Sequence, residues 1–177
     1  GENEYAGHIV GIDGDLDGDG KDDVVITAER NGEGGAVAGK IYVFWGANLG
    51  SDVHIELSSA DLAIIGEDSA NDVGDSFSYD SDIDGDGTDD LLLGSFGSNV
   101  GGHSAGRVSL FWGSSLSTSS TLSINDAQYA FIGNENDGAG YAVTAKGDLD
   151  GDGLKDIVIN AGSYNTVTGK TYVLLGA

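Results

Sequence analysis

The stretch GDLDGDGKDD, residues 14–23, holds five aspartates and three glycines in ten residues. Carboxylates this close together repel one another, by roughly 1 to 4 kcal/mol for each pair about 4 Å apart, unless a cation lies among them. The glycines allow the sharp reversal that side chains at the same positions would obstruct. The stretch therefore predicts a tight acidic loop built around a positive ion.

The same loop occurs three times along the chain. It returns as SDIDGDGTDD at residues 81–90 and as GDLDGDGLKD at residues 147–156. Its first aspartates, Asp15, Asp82 and Asp148, are 67 and then 66 residues apart. Each copy is followed by one apolar run (VVIT, LLLG and IVIN) and then by a second one (GKIYVFWG, GRVSLFWG and GKTYVLLG). A period of this size indicates a repeat architecture.

The repeats divide the chain into three units of one array, residues 1–65, 66–132 and 133–177. Units 1 and 2 end in ADLAIIGE and AQYAFIGN, whereas unit 3 stops before the matching segment, so we expect it to be one strand shorter. The apolar runs are short, rich in Val, Ile, Leu, Tyr and Phe, and bounded by turn residues, which is typical of strands. No sustained helical period is present.

Four short strands in a unit of this length match one blade of a β-propeller. We therefore predict an all-β fold of about three propeller-type blades, each with about four antiparallel strands. Stacked antiparallel sandwiches are the alternative, but they do not explain the re-use of one loop. Because propellers have about four to eight blades, three units leave open apolar faces. We expect an incomplete propeller from a longer chain, or one that self-association completes.

Composition limits the partners of the protein. The chain has 30 Asp and Glu against 7 Lys and Arg, a net charge of -23. This balance argues against binding to nucleic acid and to anionic membrane surfaces. No apolar run reaches the length of a membrane span, so we expect no membrane insertion. The chain has no cysteine, so disulfides cannot stabilise it.

Each loop offers five oxygen-donating residues at positions 1, 3, 5, 7 and 9. Positions 1, 3, 5 and 9 are aspartates, and position 7 offers its backbone carbonyl. The predicted ligands are Asp15, Asp17, Asp19, Lys21 and Asp23 in the first loop, Asp82, Asp84, Asp86, Thr88 and Asp90 in the second, and Asp148, Asp150, Asp152, Leu154 and Asp156 in the third.

An all-oxygen ligand set of this size favours calcium, which takes six to eight oxygens. Magnesium keeps more water, and zinc prefers His or Cys. An EF-hand is excluded because its position 12 requires glutamate, and the residues there are Ile26, Leu93 and Ile159. Solvated Asp-Gly turns are the simpler alternative, which a threefold repeat in phase with the strands disfavours. We expect about three calcium ions, one per repeat.

The loop D-x-D-G-D-G-x-x-D, the apolar strand after it and the later G-K/R-x-Y/S-V/L-F strand resemble FG-GAP repeats. These are the blades of the integrin alpha-chain N-terminal β-propeller and of many bacterial surface proteins. The family's Phe-Gly is altered here to Ala6-Gly7, Val73-Gly74 and Ala139-Gly140. The resemblance implies propeller blades, calcium at the twelve aspartates, and an extracellular or cell-surface location, which we expect to be bacterial. It does not identify a ligand.

These observations lead us to expect a non-enzymatic, calcium-stabilised module that serves adhesion or binds a protein or glycan. The alternatives are a non-catalytic accessory domain of a secreted polysaccharide-acting enzyme and a structural spacer. No histidine has the spacing of a metal site or triad. Trp45 and Trp112 share one repeat position, which favours packing over sugar stacking. The loops that differ most between units, residues 29–38, 97–105 and 161–168, are the first candidates for recognition.

Overall fold

The computed structural model describes residues 4–51, 54–67, 72–162 and 168–176. They form twelve strands, one short helix and three 3-10 turns. The strands of unit 1 are β1 (Ala6–Gly14), β2 (Asp23–Ala28), β3 (Lys40–Phe44) and β4 (Leu62–Ile65). Those of unit 2 are β5 (Ser76–Ser78), β6 (Leu91–Ser95), β7 (Arg107–Phe111), β8 (Thr121–Ser123) and β9 (Tyr129–Ile132). Those of unit 3 are β10 (Ala139–Gly147), β11 (Asp156–Ala161) and β12 (Lys170–Leu174). The helix α1 spans Gly113–Leu116, and the 3-10 turns span Gly46–Asn48, Leu57–Ser59 and Ile124–Asp126.

Each unit folds into its own antiparallel meander, which we call blade 1, 2 or 3. Blade 1 has the order β1-β2-β3-β4, blade 2 the order β5-β6-β7-β9, and blade 3 the order β10-β11-β12. The central pairs are in matching register, since Val25 faces Val43, Leu92 faces Leu110 and Val158 faces Val173. The all-β, propeller-type prediction is confirmed, and the described sheets form an incomplete propeller-like arrangement.

Strand β8 leaves its own blade and joins the preceding one. It pairs in parallel with β4, with Ala63 opposite Thr121 and Ile65 opposite Ser123. Blade 1 therefore carries a fifth strand that belongs to unit 2. Sequence periodicity did not predict this pairing, because three residues with one apolar side chain give too weak a pattern to assign a strand to a sheet.

The first strands of the three units converge on one another. Asp13, Asp80 and Lys146 occupy the same repeat position, two residues before each acidic run. The Lys146 ammonium lies 2.5 Å from the Asp80 carboxylate and 3.9 Å from that of Asp13. A cross-blade contact among equivalent residues is what strands arranged around a common axis produce.

The core lies between the blades. One cluster joins blades 1 and 2 and includes Val25, Ile41, Ile64, Leu93 and Phe111, all fully buried. A second cluster joins blades 2 and 3 around Leu92, Val108 and Ile159. Apolar residues remain exposed on the two outer faces: Val10 and Ile12 on blade 1, and Leu149, Val173 and Leu175 on blade 3.

The glycines of the altered Phe-Gly motif have a conformational role. Gly7, Gly74 and Gly140 have φ of 85, 98 and 92°, a region that other residues enter only with strain. At Gly140 a Cβ would also lie 2.6 Å from the Arg107 carbonyl oxygen, so the backbone approaches too closely for a side chain. The glycine is therefore required by conformation and packing, whereas the preceding residue tolerates Ala or Val.

Candidate metal centre

The three acidic loops lie at the same end of their blades. Acidic loop 1 is residues 15–23, acidic loop 2 is residues 82–90 and acidic loop 3 is residues 148–156. Each one connects the first strand of its blade to the second. In an antiparallel meander, the connection from the second strand to the third lies at the opposite end. The topology therefore separates the acidic loops from the variable loops that follow β2, β6 and β11.

Carboxylates converge within each acidic loop. In acidic loops 1 and 2, the aspartates at positions 1, 3 and 5 each place an oxygen within 4.8 Å of the others. In acidic loop 3 the group consists of positions 1, 3 and 9. The members are Asp15, Asp17 and Asp19; Asp82, Asp84 and Asp86; and Asp148, Asp150 and Asp156. The structure thus brings together nine of the twelve aspartates predicted from spacing.

Position 1 closes the loop on itself. The Asp15 carboxylate accepts hydrogen bonds from the backbone N–H groups of Asp19 (3.0 Å) and Gly20 (2.8 Å). The Asp82 carboxylate does the same for Asp86 (3.1 Å) and Gly87 (2.9 Å). These bonds fold the chain around the first carboxylate and direct the later ones toward it.

Position 7 lies next to the carboxylate of position 5. The backbone N–H groups of Lys21, Thr88 and Leu154 each donate to the Oδ1 atom of the position-5 aspartate, at 2.9 Å in all three loops. In acidic loop 3, the position-5 residue that accepts this bond is Asp152. The expected role of the three position-7 carbonyls as ligands stays a prediction.

Position 9 has a structural role that spacing did not predict. Asp23, Asp90 and Asp156 are at most 1% exposed. One carboxylate oxygen accepts from the backbone N–H at position 2 of the same loop, with N···O distances of 2.7 Å for Asp23 and Asp90. The other oxygen accepts from the glycine N–H that follows the third strand, at 2.8 to 2.9 Å. Each aspartate therefore joins its acidic loop to the end of the third strand.

The environment of position 9 differs between units. Burial raises the pKa of Asp23 to about 6 and that of Asp90 to about 6, because an ionised carboxylate loses hydration there. The N–H groups of Leu149 and Gly176 instead hold the pKa of Asp156 below its usual value. The difference follows the packing: the position-2 residues Leu16 and Ile83 are buried, whereas Leu149 is 61% exposed.

Acidic loops 1 and 2 dock directly on one another. The Asp15 N–H donates to the Asp89 carboxylate, and the Asp89 N–H donates to the Asp15 carbonyl, each at 3.0 Å. Asp89 is outside the five predicted ligand positions of acidic loop 2, and the spacing of the aspartates did not predict this contact. The sequence signal for this contact is the Asp-Asp pair that ends acidic loops 1 and 2. Acidic loop 3 has Lys155 in place of the first aspartate of the pair.

The donor chemistry of these groups fits calcium. Each consists only of carboxylate oxygens. Hard oxygen donors suit calcium, whereas zinc sites rely on His or Cys. A bound divalent cation would also remove the repulsion among three carboxylates so close together.

The other sequence candidates occupy structural or surface positions. Trp45 is 9% exposed and belongs to the core between blades 1 and 2, as packing predicts. Trp112 packs edge-on against Tyr129, with ring centroids 5.6 Å apart. His8 and His54 each contact a glutamate, and His103 contacts Asn136. Of the variable loops, residues 163–167 lie outside the described part of the chain.

Comparison with known proteins agrees with this architecture. The family model of the FG-GAP repeat matches residues 6–44 and 139–174. The two matches span β1 to β3 and β10 to β12, each with its acidic loop. No curated protein matches the sequence. The described residues contain no helix with the length and hydropathy needed to span a membrane. FG-GAP repeats are typical of extracellular proteins, and the model of this repeat matches units 1 and 3 of the incomplete β-propeller-like array.

Proposed function

We propose that the chain is a calcium-binding, non-enzymatic repeat module of an extracellular or cell-surface protein. The observation that carries this proposal is the convergence of three carboxylates in each of three equivalent loops, at one end of the blades. A single acidic turn is common without a metal. Three such turns at the same place in the fold are better explained by a shared ligand.

In this proposal the residues of each acidic loop have different roles in binding an ion. In acidic loops 1 and 2 the converging carboxylate oxygens come from positions 1, 3 and 5, and in acidic loop 3 they come from positions 1, 3 and 9. Position 9 of each loop also joins the loop to the end of the third strand. Calcium, when bound, supplies the positive charge among these groups. Because the groups come together only in the folded chain, calcium binding adds to stability, by about 2.7 kcal/mol per site when calcium is at about one hundred times its dissociation constant.

We propose that the variable loops after β2, β6 and β11 bind a protein or glycan partner in adhesion. They lie at the opposite end of the blades from the acidic loops, so a partner bound there would not touch the calcium sites. In this proposal calcium acts on binding by stabilising the blades. Exposed His103 and Val100 lie in one of these loops, residues 97–105.

The calcium proposal is tested by thermal unfolding in calcium and in a chelator. We expect a higher melting temperature in calcium and a smaller rise in magnesium, which prefers fewer protein ligands. The triple variant Asp17→Asn, Asp84→Asn, Asp150→Asn should lose the calcium-dependent rise. An identical melting temperature with and without calcium would contradict the proposal.

The recognition proposal needs a separate experiment. Binding of the calcium-loaded chain to a glycan array and to bacterial and host cell surfaces would be compared for two matched variants. His103→Ala lies in a variable loop and should weaken binding, whereas the exposed His54→Ala lies outside these loops and should not. Equal binding by both variants would remove this loop from the proposed surface.

A further inference from the structure

An apolar cleft of about 250 Å³ lies between the outer parts of blades 2 and 3. Its lining comes from the strands of both blades. The principal side chains are those of Leu92, Val108, Leu110, Phe131, Ile159 and Leu174. Tyr129 stands at its rim and is 64% exposed. A cleft of this character has no polar feature that would attract water or an ion, so it favours an apolar occupant.

The equivalent place between blades 1 and 2 is filled. The blade 2 residues that line the cleft have counterparts 67 residues earlier, and these counterparts are fully buried: Val25, Ile41, Val43 and Ile64. What covers them is the segment that follows β7. Leu116 and Ile124 of this segment are buried in the same cluster, and Leu122 and Ala127 pack against it.

Backbone and polar contacts fasten this segment in place. Its strand β8 pairs with the edge of β4. The Arg107 guanidinium donates to the Asn125 side chain at 2.7 Å and to the Ile124 carbonyl at 2.9 Å. The Glu67 carboxylate accepts from the Ser123 hydroxyl and the Asn125 amide. This segment runs from α1 through β8 to the 3-10 turn Ile124–Asp126, and we call it the wedge. It lies between blades 1 and 2, where strand pairing and polar side chains hold it.

The apolar pattern of the wedge is itself repeated. Leu49, Ile55 and Leu57 of unit 1 stand 67 residues before Leu116, Leu122 and Ile124. Leu49 and Leu57 pack on the face of blade 1 that points away from blade 2. Each wedge thus belongs on the side of its blade that faces the preceding blade. By this rule the cleft between blades 2 and 3 is the place for a wedge that follows β12.

Among the described residues, no segment takes this position. Only Leu175 and Gly176 follow β12 there, and Leu174 and Leu175 are 39% and 55% exposed. Within the described sheets, β12 pairs on one side with β11, and β9 pairs on one side with β7. Two free strand edges therefore border the apolar cleft.

We propose that this cleft is a docking site for a polypeptide segment from outside residues 1–177, with the pattern of residues 113–132. The segment would place two or three aliphatic side chains in the cleft, a short parallel strand along β9 and an antiparallel strand along β12. Residues 113–132 contain one charged residue, Asp126, so a segment of this kind avoids repulsion from a strongly acidic protein.

The test uses a fluorescent synthetic peptide with the sequence of residues 113–132, and fluorescence anisotropy as the readout. We expect saturable binding to the calcium-loaded chain. A peptide with Leu116→Ser, Leu122→Ser and Ile124→Ser should bind at least about tenfold more weakly, because it loses the side chains that fill the cleft. Absence of saturable binding, or equal binding of the two peptides, would overturn the proposal.

Two variants of the chain locate the bound peptide. Leu174 and Val173 are neighbours on β12 and both partly exposed, and they point to opposite faces because successive side chains of a strand alternate. Leu174 and its partner Ile157 line the cleft, whereas Val173 and its partner Val158 do not. Leu174→Asp puts a charge in the cleft and should weaken binding by at least about tenfold, whereas Val173→Asp should not. Tyr129→Asp, at the exposed rim, provides a second cleft variant if Leu174→Asp alters folding.

If both Leu174→Asp and Val173→Asp bind like the unaltered chain, the peptide has exchanged with the native wedge between blades 1 and 2, and the proposal is wrong. The calcium experiment uses no peptide. The two proposals can therefore fail independently.

Discussion

The aspartates of one acidic loop are chemically identical but have different roles. Position 3 carboxylates belong to the converging groups, and the Asp84 Oδ1 accepts one backbone hydrogen bond, from Asp86 at 3.1 Å. The position 9 carboxylate of Asp90 is buried and takes N–H groups from Ile83 and Gly113. A charged acceptor with two backbone donors is needed for the fold itself, with or without a metal.

This difference predicts opposite outcomes for two similar substitutions. Asp90→Asn should lower the free energy of unfolding by about 2 kcal/mol or more even in a chelator, because an amide nitrogen would face a buried N–H donor. Asp84→Asn keeps the Oδ1 acceptor and removes one repelling charge, so stability in a chelator should stay equal or rise slightly. Chemical denaturation of both variants measures this, and equal losses would show that position 9 has no separate structural role.

At the level of strands, the glycines at the start of blades 2 and 3 determine how closely each of these blades approaches the preceding one. Gly138 and Gly140 lie two residues apart, and both have positive φ, 62 and 92°. A Cβ at Gly138 meets nothing within 4 Å, whereas one at Gly140 would lie 2.6 Å from the Arg107 carbonyl and 3.0 Å from the Ser95 nitrogen. One site carries only backbone strain, and the other carries strain and a backbone clash.

We therefore expect Gly138→Ala to lower the free energy of unfolding by about 1 kcal/mol and Gly140→Ala by about 3 kcal/mol or more. Thermal or urea unfolding would measure both. The pair controls for the loss of glycine flexibility, since each variant replaces a glycine in the left-handed region. Similar losses would mean that blades 2 and 3 do not approach as closely as the structure shows.

In the molecule as a whole, some of the many acidic side chains are buried. Asp75 lies at the start of blade 2, and no N–H or O–H group of the described residues donates to its buried Oδ2 atom. Burial, together with the nearby charges of Asp72 and Glu29, raises the pKa of Asp75 to about 8. The folded chain therefore binds a proton at this site at pH values where the unfolded chain has released it.

The sign of the pH dependence follows from this difference. Because the folded pKa lies above the unfolded value of 3.8, the native state is stabilised at low pH, and this contribution is lost as pH rises toward about 8. In a chelator we expect the free energy of unfolding to fall between about pH 5 and pH 8. Asp75→Asn should make that fall smaller, measured by urea denaturation at several pH values. An unchanged slope would show that Asp75 does not carry the proton.

Asp23 and Asp90 act in the same direction without metal, since burial raises the pKa of each to about 6. The free energy of unfolding of Asp75→Asn is therefore compared with that of the unaltered chain at each pH. In calcium, an ion that binds the ionised carboxylates opposes the same dependence. Repeating the series in calcium should therefore flatten the pH profile below about pH 7.

The repeat, the strand-rich blades and the acidic loops could all be predicted from the amino-acid sequence. These features are local, because an aspartate run, a turn glycine and a short apolar strand are each specified within about ten residues. The repeat of 67 and 66 residues then placed equivalent loops at equivalent ends. The positions of Asp15, Asp17 and Asp19 as one group could be predicted for the same reason.

The way in which the units join became visible only in the folded arrangement of the blades. Asp89 holds acidic loop 1 from a distance of 74 residues, Asp90 reaches Gly113, and β8 pairs with the preceding blade. Such contacts depend on how sheets stack, which no local pattern encodes. The apolar cleft has the same origin: the repeat predicted a third unit one strand shorter, but only packing showed that the wedge of unit 2 lies between blade 2 and the preceding blade.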